Sequence, residues 1–252
     1  MGPVRRCKLC HLNRDLCRSH FIPKAAYKLI QQSEGAPPVV IKPAVIIQKN
    51  EQITDYVLCM ECEERFDVNG ERWVLDYCSR VGEGFKLKAL IDRTQPLLSN
   101  RLKVYSSANI AEIDVGKLTY FVASVLWRGS AHAWKSGKDL LLTPSLGSRY
   151  EEELRLYLLG EVNFPSDAAV WVSIVPAEKF WTSVFIPYGG KLSNYWRYKF
   201  IFLGFSFMFF LGKLLPPFIR RTCTFRSPER FILVGEDTID MMIRDFGRLI
   251  GK

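Results

Sequence analysis

Cys7-Lys8-Leu9-Cys10 and Cys59-Met60-Glu61-Cys62 are two matching CxxC pairs separated by 48 residues. Each pair can present two thiolates from one tight turn, and two pairs complete the tetrahedron that zinc prefers. Sulfur ligands sit about 2.3 Å from the ion and fill all four positions, so such a site fixes a fold and leaves no opening for a reaction. A redox pair fits less well, because that motif usually occurs once, opening a helix after a strand. Scattered buried thiols also fit less well, since the pairs match. Cys17, Cys78 and Cys223 lack partners at ligand spacing and read as ordinary buried thiols.

Ten residues after Cys10 stands His20, within Ser19-His20-Phe21-Ile22-Pro23; Leu58 precedes the second pair and Glu63 follows it. A CxxC pair, a histidine in an H-x-I-P setting, and Leu-Cys-x-x-Cys heading a helix together resemble the HNH endonucleases. That group is also called the ββα-metal or His-Me finger family, and the resemblance covers roughly residues 5–72. It implies a treble-clef-like ββα-metal module with one structural Zn²⁺ on Cys7, Cys10, Cys59 and Cys62. It also implies a catalytic Mg²⁺ or Mn²⁺ and hydrolysis of nucleic acid, DNA foremost, in a setting such as bacterial defence against phage.

By position in that family His20 is the general base, since an imidazole titrating near neutrality can take a proton from water. The divalent ion would polarise the phosphate and stabilise the leaving oxygen. The chain departs from the family at Ser19, where Asp or His is common, at Glu63, where Asn or His is common, and at Phe66, where a final His or Lys often stands. Glu63 and Asp67, four apart on one helix face, could supply hard oxygen ligands instead. These departures keep a second reading open: a zinc module without catalysis that binds nucleic acid or a partner protein. His11 reads as knuckle surface and His132 as packing among tryptophans.

The whole chain carries 35 Lys+Arg against 26 Asp+Glu, a formal charge of +9. Arg5, Arg6, Lys8, Arg14, Arg18, Lys24 and Lys28 crowd the first module, where Asp15 is the one acidic residue before Glu34. Such a surface suits phosphate contacts, which position a nucleic acid without reading its sequence.

These groups need elements to hold them. Pro37, Pro38 and Pro43 forbid a continuous helix over Glu34–Pro43. A short strand is expected at Val45–Ile47, a lead-in at Asp55–Leu58 and a helix over Glu61–Trp73. Leu118–Trp134 reads as a buried helix and Arg149–Leu159 as an amphipathic one. Strands are expected at Ala169–Val175, Trp181–Ile186, Tyr198–Phe210 and Phe231–Val234, and a closing helix at Asp237–Ile250. The fold class is therefore α+β: a zinc-binding module over residues 1–80, then a larger α+β domain over 81–252 with a mainly antiparallel sheet. That second domain would serve regulation, target choice or assembly, as a homo-oligomer or with another subunit.

Arg128 stands in an apolar run and needs a carboxylate, for which Glu151–Glu153 is the candidate partner. Phe200–Leu211 is too short to span a bilayer and alternates Phe205, Phe207 and Phe209, as a buried strand would. A polar, cysteine-bearing start and unpaired thiols point to a reducing cytoplasm.

Overall fold

A computed structural model describes residues 2–32, 39–42, 45–48, 52–81, 84–100, 102–176, 181 and 183–235. The expected helix over Asp237–Ile250 and the prolines at 37, 38 and 43 lie outside these residues. The first part holds strands β1 (Val4–Arg6) and β2 (Asn13–His20), helix α1 (Lys24–Gln32), and strands β3 (Val39–Lys42), β4 (Val45–Gln48) and β5 (Thr54–Cys59). A nearly continuous helical stretch follows: α2 (Met60–Phe66), a π-helical turn (Asp67–Glu71) and α3 (Arg72–Cys78). Then come β6 (Arg80–Val81), β7 (Gly84–Phe85), α4 (Lys86–Ile91), β8 (Leu98–Ser99), β9 (Leu102–Ser106) and the long helix α5 (Val115–Ala131). The chain continues through β10 (Lys135–Ser136), β11 (Asp139–Leu140), α6 (Gly147–Leu159), β12 (Ala168–Ile174), β13 (Val184–Leu192), β14 (Tyr195–Phe202), β15 (Phe205–Leu211), α7 (Pro217–Thr222) and β16 (Phe231–Gly235).

The small front sheet runs β1-β2-β5, all antiparallel. A larger sheet has the order β4-β3-β13-β14-β15-β12-β16-β9-β8 and is mainly antiparallel, with parallel contacts at β3–β13 and β12–β16. The apolar run expected as one strand over Tyr198–Phe210 is two, β14 and β15, because Leu203 and Gly204 take positive φ and reverse the chain. All seven residues of β15 are buried, which explains why its sequence is apolar at every position but Ser206. Phe205, Phe207 and Phe209 face the main core, where Phe207 meets Phe121 of α5 at 5.7 Å and Phe200 at 5.0 Å. Met208 and Phe210 face the other side, covered by Leu215, Ile219 and Cys223 on and beside α7. Among the described residues no helix is long and apolar enough to cross a membrane.

Helix α5 is the spine. Residues Leu118 to Gly129 are buried without a break, so it is enclosed on every face. Asp114 caps it by accepting from the Lys117 N–H at 2.9 Å. One side packs on the phenylalanines of the large sheet. The other meets Phe66, whose ring stands edge-on to Tyr120 and Trp127, both at 6.1 Å. One buried cluster therefore runs from Cys7 to Ile232.

At Gly70 the π-helical turn lies close against α5. A Cβ there would sit 2.9 Å from the Phe121 nitrogen and 3.1 Å from its Cα, both backbone atoms that cannot step aside. Gly70→Ala is expected to cost about 1–3 kcal/mol despite alanine's better helix propensity. Gly84→Ala, where a Cβ meets nothing within 4 Å, should change stability by less than about 0.5 kcal/mol. Thermal melting of the two variants side by side checks this, and equal melting points would rule out the crowding argument.

Candidate metal centre and active site

The four paired cysteines come together. The sulfurs of Cys7, Cys10, Cys59 and Cys62 all lie within 4.8 Å of one another. Cys10 Sγ and Cys59 Sγ are 3.9 Å apart, against about 3.8 Å for the edge of a tetrahedron with 2.3 Å zinc–sulfur bonds. The set can therefore hold a zinc ion. Cys17, Cys78 and Cys223 stay outside it as free thiols.

Local structure explains the first pair. The Cys7 N–H donates to the Leu12 carbonyl at 2.9 Å, the His11 N–H donates to the Cys7 carbonyl at 3.0 Å, and His11 takes φ 63° to close the turn. His11 thus acts through its backbone. The second pair straddles a strand-to-helix junction: Cys59 ends β5 and Cys62 lies in the first turn of α2. The two halves are joined directly, since Lys8 N–H donates to the Val57 carbonyl at 3.1 Å and Cys59 N–H donates to Cys7 Sγ at 3.4 Å.

The protonation chemistry fits a cation. A hydrogen bond from the Cys62 thiol holds Cys7 down at about 4 against its burial, with help from the Cys10, Cys59 and Leu9 backbone. Burial pushes Cys59 up to about 12, and the neighbouring Cys7 and burial push Cys62 higher still. Four crowded thiols cannot all ionise alone. A divalent ion with strong thiolate affinity removes that conflict.

His20 ends β2. Its neighbour Ser19 is 1% exposed and turns inward, where its hydroxyl accepts from the Leu58 N–H at 3.1 Å. Alternation along the strand puts His20 and Arg18 on the opposite, open side. His20 Nε2 lies 2.9 Å from Gln52 Oε1; with that amide oxygen as acceptor, Nδ1 keeps the lone pair a base needs. Burial lowers the His20 pKa below its ordinary value, and Lys24 and Arg128 act in the same direction. The hydrogen bond to Gln52 and the negative charge of Glu63 oppose them.

Glu63 is half-buried, and its Oε1 is fully buried with no hydrogen-bond partner among the described residues. Buried polar atoms are rarely left so, and one at a carboxylate invites a cation. Asp67 stands one turn further on, where Arg72 pairs with it. No described contact joins Asp67 to His20.

Arg128 reaches this site from α5. It does not pair with the Glu151–Glu153 run: Glu151 accepts from Ser130 Oγ, while Glu152 and Glu153 pair with Arg155 and Arg149 on their own helix. Its partner is Glu71, at 2.8 Å from Nη2, while Nη1 donates to the carbonyls of His20 at 2.8 Å and Phe21 at 3.2 Å. Glu71 continues the four-residue series of Glu63 and Asp67, but nothing in that series points to Arg128. Gln52 lay outside every motif. His132 does pack, edge-on to Trp134 at 5.1 Å, and also meets Asp55 at 2.8 Å.

Of the seven basic residues, Arg5, Arg6, Lys8, Lys24 and Lys28 are exposed. Arg14 is exposed but pairs with Glu61, and Arg18 Nε donates to Thr54 Oγ1 at 2.9 Å. Compared with known protein families, curated proteins and solved structures, the chain matches none.

Proposed function

We propose that the chain is a metal-dependent endonuclease, with His20 as general base and Glu63 as the main carboxylate ligand of a Mg²⁺ or Mn²⁺ ion. The observation that carries this reading is the buried, unpartnered Oε1 of Glu63, on the helix that follows the strand paired with β2, whose last residue is a histidine that its lowered pKa keeps neutral at pH 7. Bound there, the ion would polarise a phosphodiester and stabilise the leaving oxygen. His20 would take the proton of the attacking water at Nδ1, with Gln52 fixing the ring. Arg18, on the same open side, and the exposed Lys24 at the start of α1 would hold the flanking phosphates. Asp67 would take a lesser part, because Arg72 already engages it. Zinc on the four cysteines would fix the junction from which Glu63 projects.

Ser19 favours the second reading in one respect. Its hydroxyl is committed to Leu58, so it offers nothing to a catalytic ion. A zinc-stiffened module that only binds nucleic acid or a protein would also tolerate that arrangement.

The experiment is cleavage of plasmid DNA and structured RNA in Mg²⁺ or Mn²⁺. His20→Ala is expected to lower the rate by about 10²–10⁴-fold, and Glu63→Gln to raise the metal concentration needed. Undiminished cleavage by His20→Ala would remove His20 from the mechanism. Salt-sensitive binding without cleavage would select the binding module.

A further inference from the structure

Arg65 and Asn69 share a helical stretch with Glu63 and Asp67 but, two residues after Glu63 and Asp67 respectively, point to its opposite side. There they line a cavity of about 550 Å³ together with Tyr120, Tyr157, Phe164 and Arg226. That volume lies within the usual range of small-molecule sites.

Its chemistry is specific. No acidic side chain lines it. Arg65 Nη1 donates to the Leu159 carbonyl at 3.0 Å, and Arg226 Nη1 to the Ser166 carbonyl at 2.7 Å, with Nη2 on the Phe164 carbonyl. Among the described residues neither guanidinium pairs with a carboxylate. Carbonyls orient both forks; Asp167 acts on Arg226 from outside the cavity, but neither fork is closed by a carboxylate among the described residues, which leaves both able to take an anion. The wall beside them is aromatic: Tyr157 and Phe225 are partly exposed and both stand edge-on to the buried Phe164, at 5.3 and 5.5 Å, over whose ring Arg226 lies at 5.5 Å. Asn69 spends one N–H on the Arg65 carbonyl at 2.8 Å and keeps its amide oxygen for another donor.

We propose that this cavity binds a nucleotide, its phosphate held by Arg65 and Arg226 and its base set against the partly exposed rings of Tyr157 and Phe225. An inorganic anion would leave the aromatic wall unused, and a neutral aromatic would leave two cations unpaired. A nucleotide uses both. The inference does not depend on the chain being a nuclease.

The test is calorimetric titration of the full chain with ATP, GTP, CTP and UTP and their monophosphates. Adenosine and inorganic phosphate serve as half-ligand controls. At least one nucleotide is expected to bind with micromolar Kd, and each control at least about tenfold more weakly. Arg65→Glu should weaken nucleotide binding by tenfold or more; Arg65 is exposed and its named contact is a single carbonyl, so the fold should survive. Arg226→Gln should do the same, and if it fails to fold Arg65→Glu decides alone. No nucleotide binding at about 1 mM would overturn the proposal, as would equal binding by Arg65→Glu. Arg65-dependent binding of a single-stranded oligonucleotide, with no mononucleotide binding, would also overturn it and assign the cavity to a nucleic-acid track.

Discussion

Cys59→Ser is expected to abolish zinc binding and lower the melting temperature by roughly 8–16 °C, the equivalent of about 4 kcal/mol in a chain of this length. Structural zinc in isolated finger peptides contributes about 10–16 kcal/mol. Here the loss should be smaller, because both knuckles are also held by protein. Lys8 N–H reaches Val57, Leu9 and Leu16 are buried, and Arg155 Nη1 from α6 donates to the Leu9 carbonyl at 2.7 Å. Without the ion, however, four crowded sulfurs lose the charge that brings them together, and the junction of β5 with α2 loses its anchor. Elemental analysis should give about one zinc per wild-type chain. A strong chelator should bring the wild type down to the melting point of the variant, and added zinc should restore only the wild type. Cys223→Ser, outside the sulfur cluster, should keep its metal. A zinc-free wild type, or a variant that melts with it, would dismiss the metal centre.

The cysteine cluster was legible because ligand spacing is a local property: a CxxC turn needs nothing from the rest of the chain. The buried helix and the amphipathic helix were legible for the same reason, and they appear as Val115–Ala131 and Gly147–Leu159. What the sequence hid was pairing at a distance. The partner of Arg128 is 57 residues away rather than in the acidic run of α6, since a helix uses nearby carboxylates for its own i,i+3 and i,i+4 pairs. The helix expected over Glu61–Trp73 runs on to Cys78, with a π-helical turn inside it. That turn adds one residue where Gly70 must lie against α5, a demand invisible to helical periodicity. Likewise Ser19 looked like a lost ligand, whereas its hydroxyl adds a side-chain hydrogen bond to the pairing of β2 with β5.

Arg128→Met is expected to destabilise the protein by about 3–5 kcal/mol, the second-largest effect. Arg128 is 1% exposed, with Phe66 4.9 Å beneath its guanidinium. Removing it strands a carboxylate and two carbonyls together. Burial already pushes the Glu71 pKa up against the pull of Arg128, so without that cation Glu71 would take a proton and the site would keep its lost hydrogen bonds as the remaining cost. Glu71→Gln should cost a comparable amount for the opposite reason, leaving a buried guanidinium that cannot deprotonate. Arg128→Lys should fall between, as one ammonium cannot span His20, Phe21 and Glu71 in the plane of a fork. The double variant Arg128→Met/Glu71→Met should be less destabilised than the two single changes together, by a coupling of about 0.5–3 kcal/mol in denaturant unfolding. Strict additivity, or a single change costing under about 1 kcal/mol, would show that the pair is incidental. Because the same guanidinium holds the carbonyl of His20, loosening it should also displace the ring from Gln52, and the imidazole resonances of His20 in NMR report that step without any assay of cleavage.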